Sequence, residues 1–181
     1  IPERMHLVSD DDVAVCAYIG LGSNLDQPRA QVKRAIVALA GLPDTRVIKH
    51  AGYYVSRPMG PEDQPDYINT VVQIETRLSP QDLLDACLQI EQRQGRIRSR
   101  HWGERSIDLD ILLYGDRQIE TDTLSIPHPG ITQRDFVYLP LLAIDDTISL
   151  PGRGQLKAII KHERTQDTDF ACRFDASIDR D

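Results

Sequence analysis

Apolar positions along the chain fall into short runs whose period changes from segment to segment, and those changes outline a fold. Residues 13–25, VAVCAYIGLGSNL, are a near-continuous apolar run rich in Val, Ile and Tyr that ends in Gly20, Gly22, Ser23 and Asn24. They predict a buried strand followed by a tight turn. From Pro28 onward Val32, Ala35, Ile36 and Leu39 recur at helical spacing, and GLPDT stops the helix. RVIKHAGYYVS is moderately alternating and β-rich. The proline-punctuated RPMGPEDQPD that follows predicts a loop of a length that is uncommon unless it works at a site.

Residues 67–76, YINTVVQIET, alternate cleanly, with Ile68, Thr70, Val72 and Ile74 on one face and Tyr67, Asn69, Val71 and Gln73 on the other. The next segment carries a complete helix signature. Ser79 is its N-cap, Pro80 takes the first helical position, Leu83, Leu84, Cys87, Leu88 and Ile90 form its apolar stripe, and Gly95 ends it. A polar, basic loop, RIRSRHWGER, then leads into the strand SIDLDILLYG. Strict alternation there puts Ile107, Leu109, Ile111 and Leu113 on one face and Asp108, Asp110, Leu112 and Tyr114 on the other. The order β-α-β-β-α-β matches a ferredoxin-like split arrangement of the α+β class. A short strand, a proline-punctuated turn and a short helix are expected between residues 117 and 144, as additional C-terminal elements. Beyond about residue 162 periodicity fades into a tail with at most a fragment of strand.

With 181 residues the chain is long enough for one full core, so a single domain is expected: an extension at 1–12, the domain at 13–162 and a tail at 163–181. A hydrophobic share of 40% beside 27% charged residues is ordinary for a soluble globular protein, and no apolar run is long enough to cross a bilayer. The N-terminal residues lack a basic region followed by an apolar stretch, so a cytoplasmic protein is the simplest expectation. Cys16, Cys87 and Cys172 are widely spaced and odd in number, which favours free thiols over a disulfide framework or zinc site. A net charge of -7 argues against generic binding to nucleic acid.

The charged residues around residues 96–110 change the picture from fold to chemistry. Side chains of Asp108 and Asp110 would lie roughly 6.5–7 Å apart on one strand face, close enough to repel unless a cation lies between them. A half-exposed strand whose acids pair with neighbouring arginines is the plain alternative. Paired hard oxygen ligands suit Mg²⁺, which takes one or two carboxylates and completes its octahedron with water and substrate phosphates. Arg96, Arg98, Arg100 and Arg105 precede the acids and offer guanidinium forks that match phosphate oxygens. Basic loop and acid pair together favour phosphoryl transfer. Trp102, the only tryptophan, could plug the core or close over a flat ligand. Tyr67 and Asn69 share a strand face that could hold a planar heterocycle, though taken alone a half-buried Tyr beside an edge Asn is the preferred reading. His128 is held between Pro127 and Pro129, with Arg134 and Phe136 following. GLGSN lacks the complete dinucleotide fingerprint, and there is no P-loop. Two other readings stay open at this point: a ferredoxin-like RNA-binding module using the arginine cluster, and a metal-dependent nuclease using the same aspartates.

HWGERSIDLDIL, with GSNL, GPEDQPDYIN and IPHP…RDFVYLPL, resembles 6-hydroxymethyl-7,8-dihydropterin pyrophosphokinase, a family of folate biosynthesis, over residues 13–162. The resemblance implies a ferredoxin-like α+β fold, usually monomeric. It also implies transfer of a pyrophosphoryl group from ATP to the pterin hydroxymethyl oxygen with Mg²⁺, releasing AMP. It implies two Mg²⁺ ions on Asp108 and Asp110, with Asp110 also orienting or deprotonating the attacking hydroxyl. Arg96 and Arg105 match arginines that stabilise the phosphates, and Trp102 matches a loop tryptophan. The pterin would stack between Tyr67 and Phe136. Asn69 would bond its polar edge, and backbone groups near Ser56, Pro58 and Met59 would complete its recognition. Glu91, Arg98, Ile111, Ser125, His128 and Arg134 match positions on the nucleotide side. Thr123 and Leu88 stand where the enterobacterial form has an arginine and a glutamine.

Overall fold

The computed structural model describes residues 13–58, 63–95, 106–163 and 172–179. Among these residues the first four elements are strand β1 (Val15–Ser23), helix α1 (Pro28–Ala40), and strands β2 (Thr45–His50) and β3 (Tyr54–Ser56). Next come β4 (Tyr67–Thr76), helix α2 (Pro80–Arg93) and β5 (Asp108–Tyr114). The rest are strands β6 (Ile119–Glu120) and β7 (Ser125–Ile126), helix α3 (Asp135–Ile144), strands β8 (Ser149–Leu150) and β9 (Gly154–Gln155), helix α4 (Leu156–Glu163), strand β10 (Cys172–Phe174) and a short 3-10 helix (Ala176–Asp179).

The main sheet is antiparallel in every pairing, in the order β10-β3-β4-β1-β5, with β2 also pairing with β4. β2 and β3 are consecutive stretches along the same partner, His50 opposite Val72 and Tyr54 opposite Asn69. Between them Gly52, at φ 83°, breaks what the sequence pattern predicts as one β-rich segment. Residues past the expected domain end supply β10, whose three residues pair with β3 and add an edge to the sheet.

Each face of the sheet has its own core. Ala17, Ile19, Leu21, Val72 and Ile74 meet Val32, Ala35 and Leu39 of α1 and Leu83, Cys87 and Ile90 of α2. On the opposite face Tyr18, Val71, Leu112 and Leu113 pack with Val137, Tyr138 and Leu141 of α3 and with Leu156 at the start of α4. Helix α2 starts as expected, with the Ser79 hydroxyl accepting the Asp82 N–H at 3.1 Å. Its stripe is rotated from expectation: Leu88 is exposed, while Glu91 is buried. Leu83, Cys87 and Ile90 centre the buried face, and at 100° per residue Glu91 falls nearer that centre than Leu88 does.

Strand β5 departs from strict alternation. Tyr18 pairs with Leu113 but Ile19 pairs with Ile111, so Leu112 is the extra residue of a β-bulge. The bulge exchanges the faces of the last two positions. Leu113 joins Leu112 in the α3 core, and Tyr114 turns into the α1/α2 core, its hydroxyl donating to the Leu78 carbonyl at 2.6 Å. Ahead of the bulge the expected faces hold, with Ile107, Leu109 and Ile111 under the two helices.

Candidate active site

On the α3 face, at the end of the sheet where β1, β4 and β5 lie side by side, the core gives way to a pocket holding about 750 Å³ of empty space open to solvent. Its floor is built by register. Within β1, Gly20 lies opposite Asp110 on one side and Val71 on the other; Gly22 lies opposite Asp108 on one side and Asn69 on the other. Directly opposed residues share a face. The central strand therefore offers hydrogens where its neighbours project a carboxylate or an amide, and the missing side chains are the space of the pocket. At Gly22 the approach is close: a Cβ there would meet the Asn69 Oδ1 at 3.0 Å and the Tyr67 ring at 3.7 Å. These glycines thus lie inside the strand and form a floor, whereas the sequence pattern predicts a tight turn beginning with them.

Asp108 and Asp110 both line this pocket, with Leu109 between them turned to the other face. Tyr67, Asn69 and Ser56 form one wall; Arg134, Phe136 and His128 approach from the α3 side. Asn69 is buried, and its amide nitrogen is already committed, donating to the Ser56 hydroxyl at 2.8 Å and the Tyr54 carbonyl at 3.2 Å. Its Oδ1 is held on the Gly22 side. Arg57, exposed beside Ser56, also lines the pocket and has no counterpart among the sequence-based candidates.

His128 bridges the site and the sheet edge. Its backbone N–H donates to the Leu112 carbonyl at 2.9 Å, and its Nδ1 accepts the Gly130 N–H at 2.9 Å. That bond leaves the proton of the neutral ring on Nε2. Burial, then the neighbouring Arg134, hold its pKa below 6.5, against a smaller opposing pull from Asp108.

Several candidates sit elsewhere. Glu91 is buried under the sheet, and its carboxylate accepts the Leu109 N–H at 2.8 Å. Ile111 belongs to the α1/α2 core, so its side chain faces away from the pocket. Ser125 lies on the β6–β7 hairpin and donates to Glu120 at 2.9 Å. Pro58 follows Arg57 without lining the pocket. Thr123 is exposed next to that hairpin. Met59, Arg96, Arg98, Arg100, Trp102 and Arg105 lie outside the described residues.

The acid pair suits the ion the sequence suggests. Among the described residues no group of three or more His, Cys, Asp or Glu is placed to hold a metal. Two carboxylates alone fit Mg²⁺ better than zinc or calcium, because Mg²⁺ keeps several waters and is completed by substrate phosphates.

Residues 18–146 match the family profile described as 7,8-dihydro-6-hydroxymethylpterin-pyrophosphokinase. The chain belongs to this family. A relative from Haemophilus influenzae, named 2-amino-4-hydroxy-6-hydroxymethyldihydropteridine pyrophosphokinase, is 46% identical over 147 residues, covering 81% of this chain and 92% of its own length. A protein of the same name from Pseudomonas aeruginosa is 42% identical over 143 residues, with 79% of this chain and 88% of that protein covered. The solved Plasmodium falciparum HPPK-DHPS structure with pteroate shares the fold with a TM-score of 0.67 at 12% identity, over 89% of this chain. That structural match spans 48% of the longer chain. Family membership places the chain among pyrophosphokinases of folate biosynthesis, mixed α and β proteins with an antiparallel sheet. No helix among the described residues is long and apolar enough to cross a membrane.

Proposed function

We propose that the protein transfers pyrophosphate from Mg²⁺-ATP to the hydroxymethyl oxygen of 6-hydroxymethyl-7,8-dihydropterin, giving AMP and the pterin diphosphate. The observation that carries this reading is the glycine-floored pocket, which sets Asp108 and Asp110 across β1 from Asn69. One half is built for a flat heterocycle and the other for phosphates.

On the pterin side, Tyr67 and Phe136 line the pocket and stack on the two faces of the ring, while the Asn69 Oδ1 accepts from its polar edge. Ser56 completes that wall; backbone groups near Pro58 and Met59 are assigned to pterin recognition by the family resemblance alone. On the nucleotide side Arg134 and the His128 Nε2–H serve phosphate oxygens, a role that the family resemblance also assigns to Arg96, Arg98 and Arg105. Glu91 acts through the backbone of β5 that it holds, Ile111 as part of that strand and Ser125 through its hairpin; Trp102, outside the described residues, is assigned to the site by the family resemblance alone. Asp108 and Asp110 would hold two Mg²⁺ ions, which supply positive charge to the phosphate oxygens. Asp110 orients the attacking hydroxyl and takes its proton. The new O–P bond forms at the β-phosphorus as the bond from that phosphorus to the α–β bridging oxygen breaks, and AMP leaves with that oxygen.

The placement of β1 between β4 and β5, with α1 and α2 on one face, supports a ferredoxin-like reading of the core at 13–162, with strand and helix elements added C-terminally. We read the protein as a cytoplasmic monomer with small-molecule substrates and no nucleic-acid or membrane partner. The test is to mix protein, Mg²⁺, ATP and the reduced pterin and follow nucleotide products. AMP in step with pterin diphosphate, abolished by a chelator, is expected. ADP in place of AMP, or no turnover by folded protein, overturns the proposal.

A further inference from the structure

The carboxylate of Asp135 ties the C-terminal strand to the pocket. Strand β10 runs antiparallel to β3 with Cys172 opposite Ser56, Arg173 opposite Val55 and Phe174 opposite Tyr54. In the same register the Asp175 N–H donates to the Tyr53 carbonyl at 2.8 Å, which makes that pair a hydrogen-bonded one. Hydrogen-bonded and non-hydrogen-bonded pairs alternate along an antiparallel ladder, so Cys172 and Ser56 form a non-hydrogen-bonded pair. The Cys172 N–H therefore points away from β3, out of the sheet edge. Asp135 takes it, at 3.1 Å from Oδ2, in a buried setting where an unpaired N–H would be costly.

The thiol of Cys172 lies beside the same carboxylate. Burial first, then the charge of Asp135 and hydrogen bonding to it, push the thiol up to about 12, so it stays protonated. Asp135 is the first residue of α3, where a negative charge is also favoured by the helix dipole. Its sequence neighbours on either side, Arg134 and Phe136, both line the pocket. Ser56, facing Cys172 across the ladder, accepts from Asn69 on the other pocket wall. One buried carboxylate thus connects the helix wall carrying Phe136 to the strand wall carrying Ser56 and Asn69. Phe174, half-exposed, packs edge-on against Tyr54 at 5.3 Å between ring centroids.

We propose that Asp135 and the strand Cys172–Phe174 are a positioning brace that sets the distance between Phe136 and the Ser56–Asn69 wall, and so determines affinity for the flat substrate. Residues 172–174 lie beyond the span matched by the family profile, and the brace gives them a role. The inference rests on the functional reading above, because the substrate gripped between those walls is the pterin.

The brace is tested with Asp135→Ala, which removes the acceptor, and Cys172→Pro, which removes the N–H and with it the thiol beside Asp135, at the first residue of an edge strand, where proline is tolerated. Both variants are expected to weaken equilibrium binding of the pterin, and to raise its KM, about tenfold or more, with ATP affinity measured without pterin changed less than about threefold. Asp135→Asn, which keeps an acceptor oxygen, should recover part of the loss. Should Asp135→Ala fail to fold, Cys172→Pro and Asp135→Asn carry the same comparison. Unchanged pterin affinity in Cys172→Pro overturns the brace, as do parallel losses for both substrates that track a falling melting temperature. A wild-type protein that forms no AMP overturns the functional reading itself; wild-type turnover with unaltered variants overturns the brace alone.

Discussion

Glu91 on α2 accepts the backbone N–H of Leu109 at 2.8 Å, at the residue that separates Asp108 from Asp110. The bond satisfies an outward N–H on β5, the last strand in the order of the main sheet, and uses a buried carboxylate to do it. A helix on one face of the sheet thereby fixes the backbone from which both acids project on the other. Glu91→Ala strands the Leu109 N–H, and stability should fall by about 1–3 kcal/mol. At about 2–4 °C per kcal/mol for a chain of this size, the melting temperature should drop by several degrees, and AMP formation should fall with it because the acid pair loses its support. Glu91→Gln keeps an acceptor and should recover part of both. Melting curves run beside turnover assays check this; an alanine variant that melts within about 1 °C of wild type contradicts it.

Asp110 should separate activity from stability. Its side chain is half-buried beside the open pocket, opposite the hydrogens of Gly20. A side chain that projects into the pocket and not into a core can be removed with the fold intact. Asp110→Ala is therefore expected to keep a cooperative melting transition in metal-free buffer, while its turnover falls below about a tenth of wild type. Activity above that level would reject the shared metal role of the pair.

Gly22 tests the floor. A methyl group there would press on the Asn69 Oδ1 at 3.0 Å, and Asn69 cannot easily yield because its nitrogen is fixed by Ser56 and the Tyr54 carbonyl. Gly22→Ala should raise the KM for the pterin about tenfold or more and leave the KM for ATP within about threefold. Gly20→Ala is the milder change, since the nearest atoms its Cβ would meet belong to the Leu112 side chain, at an ordinary 3.5 Å. Steady-state kinetics varying each substrate in turn distinguish the two.

How far the sequence reveals this site depends on whether the governing contact is local. Asp108 and Asp110 share a face because a strand has period two, and the Ser79 cap and Gly95 stop of α2 are set within a few residues of the helix; all three follow from local rules. Leu113 and Tyr114 do not, because the bulge at Leu112 arises only when β5 is laid against Tyr18 and Ile19. Gly20 and Gly22 suggest a turn until their neighbours are known: what makes them a floor is the pairing with Val71 and Asn69 on one side and the two aspartates on the other. Glu91 has the local look of a solvated helix residue, and its buried role depends on an edge N–H supplied 18 residues later. β10 is too short to show any period, and only its register with β3 defines it. Arg57 carried a signal that was open to use, standing directly after Ser56 at the start of the proline-rich loop.

His128 makes stability depend on pH in a definite direction. Burial foremost, and Arg134 next, hold its pKa below the 6.5 of an unfolded histidine, and its Nδ1 must stay unprotonated to accept the Gly130 N–H. Between the depressed folded pKa and 6.5 the unfolded chain binds more protons at this residue than the folded one, so stability rises with pH across that window. The contribution is present in full above 6.5 and is lost as pH falls through the folded pKa. His128→Gln lacks this titration, so its melting temperature should fall less than that of wild type when the pH is lowered from 7.5 to 5.5, a window of about one unit on either side of the unfolded histidine value. Both proteins are measured without Mg²⁺ or nucleotide, so that ligand binding does not enter the comparison. A wild-type curve that runs parallel to the variant's through that interval would show that His128 is not held neutral by the fold.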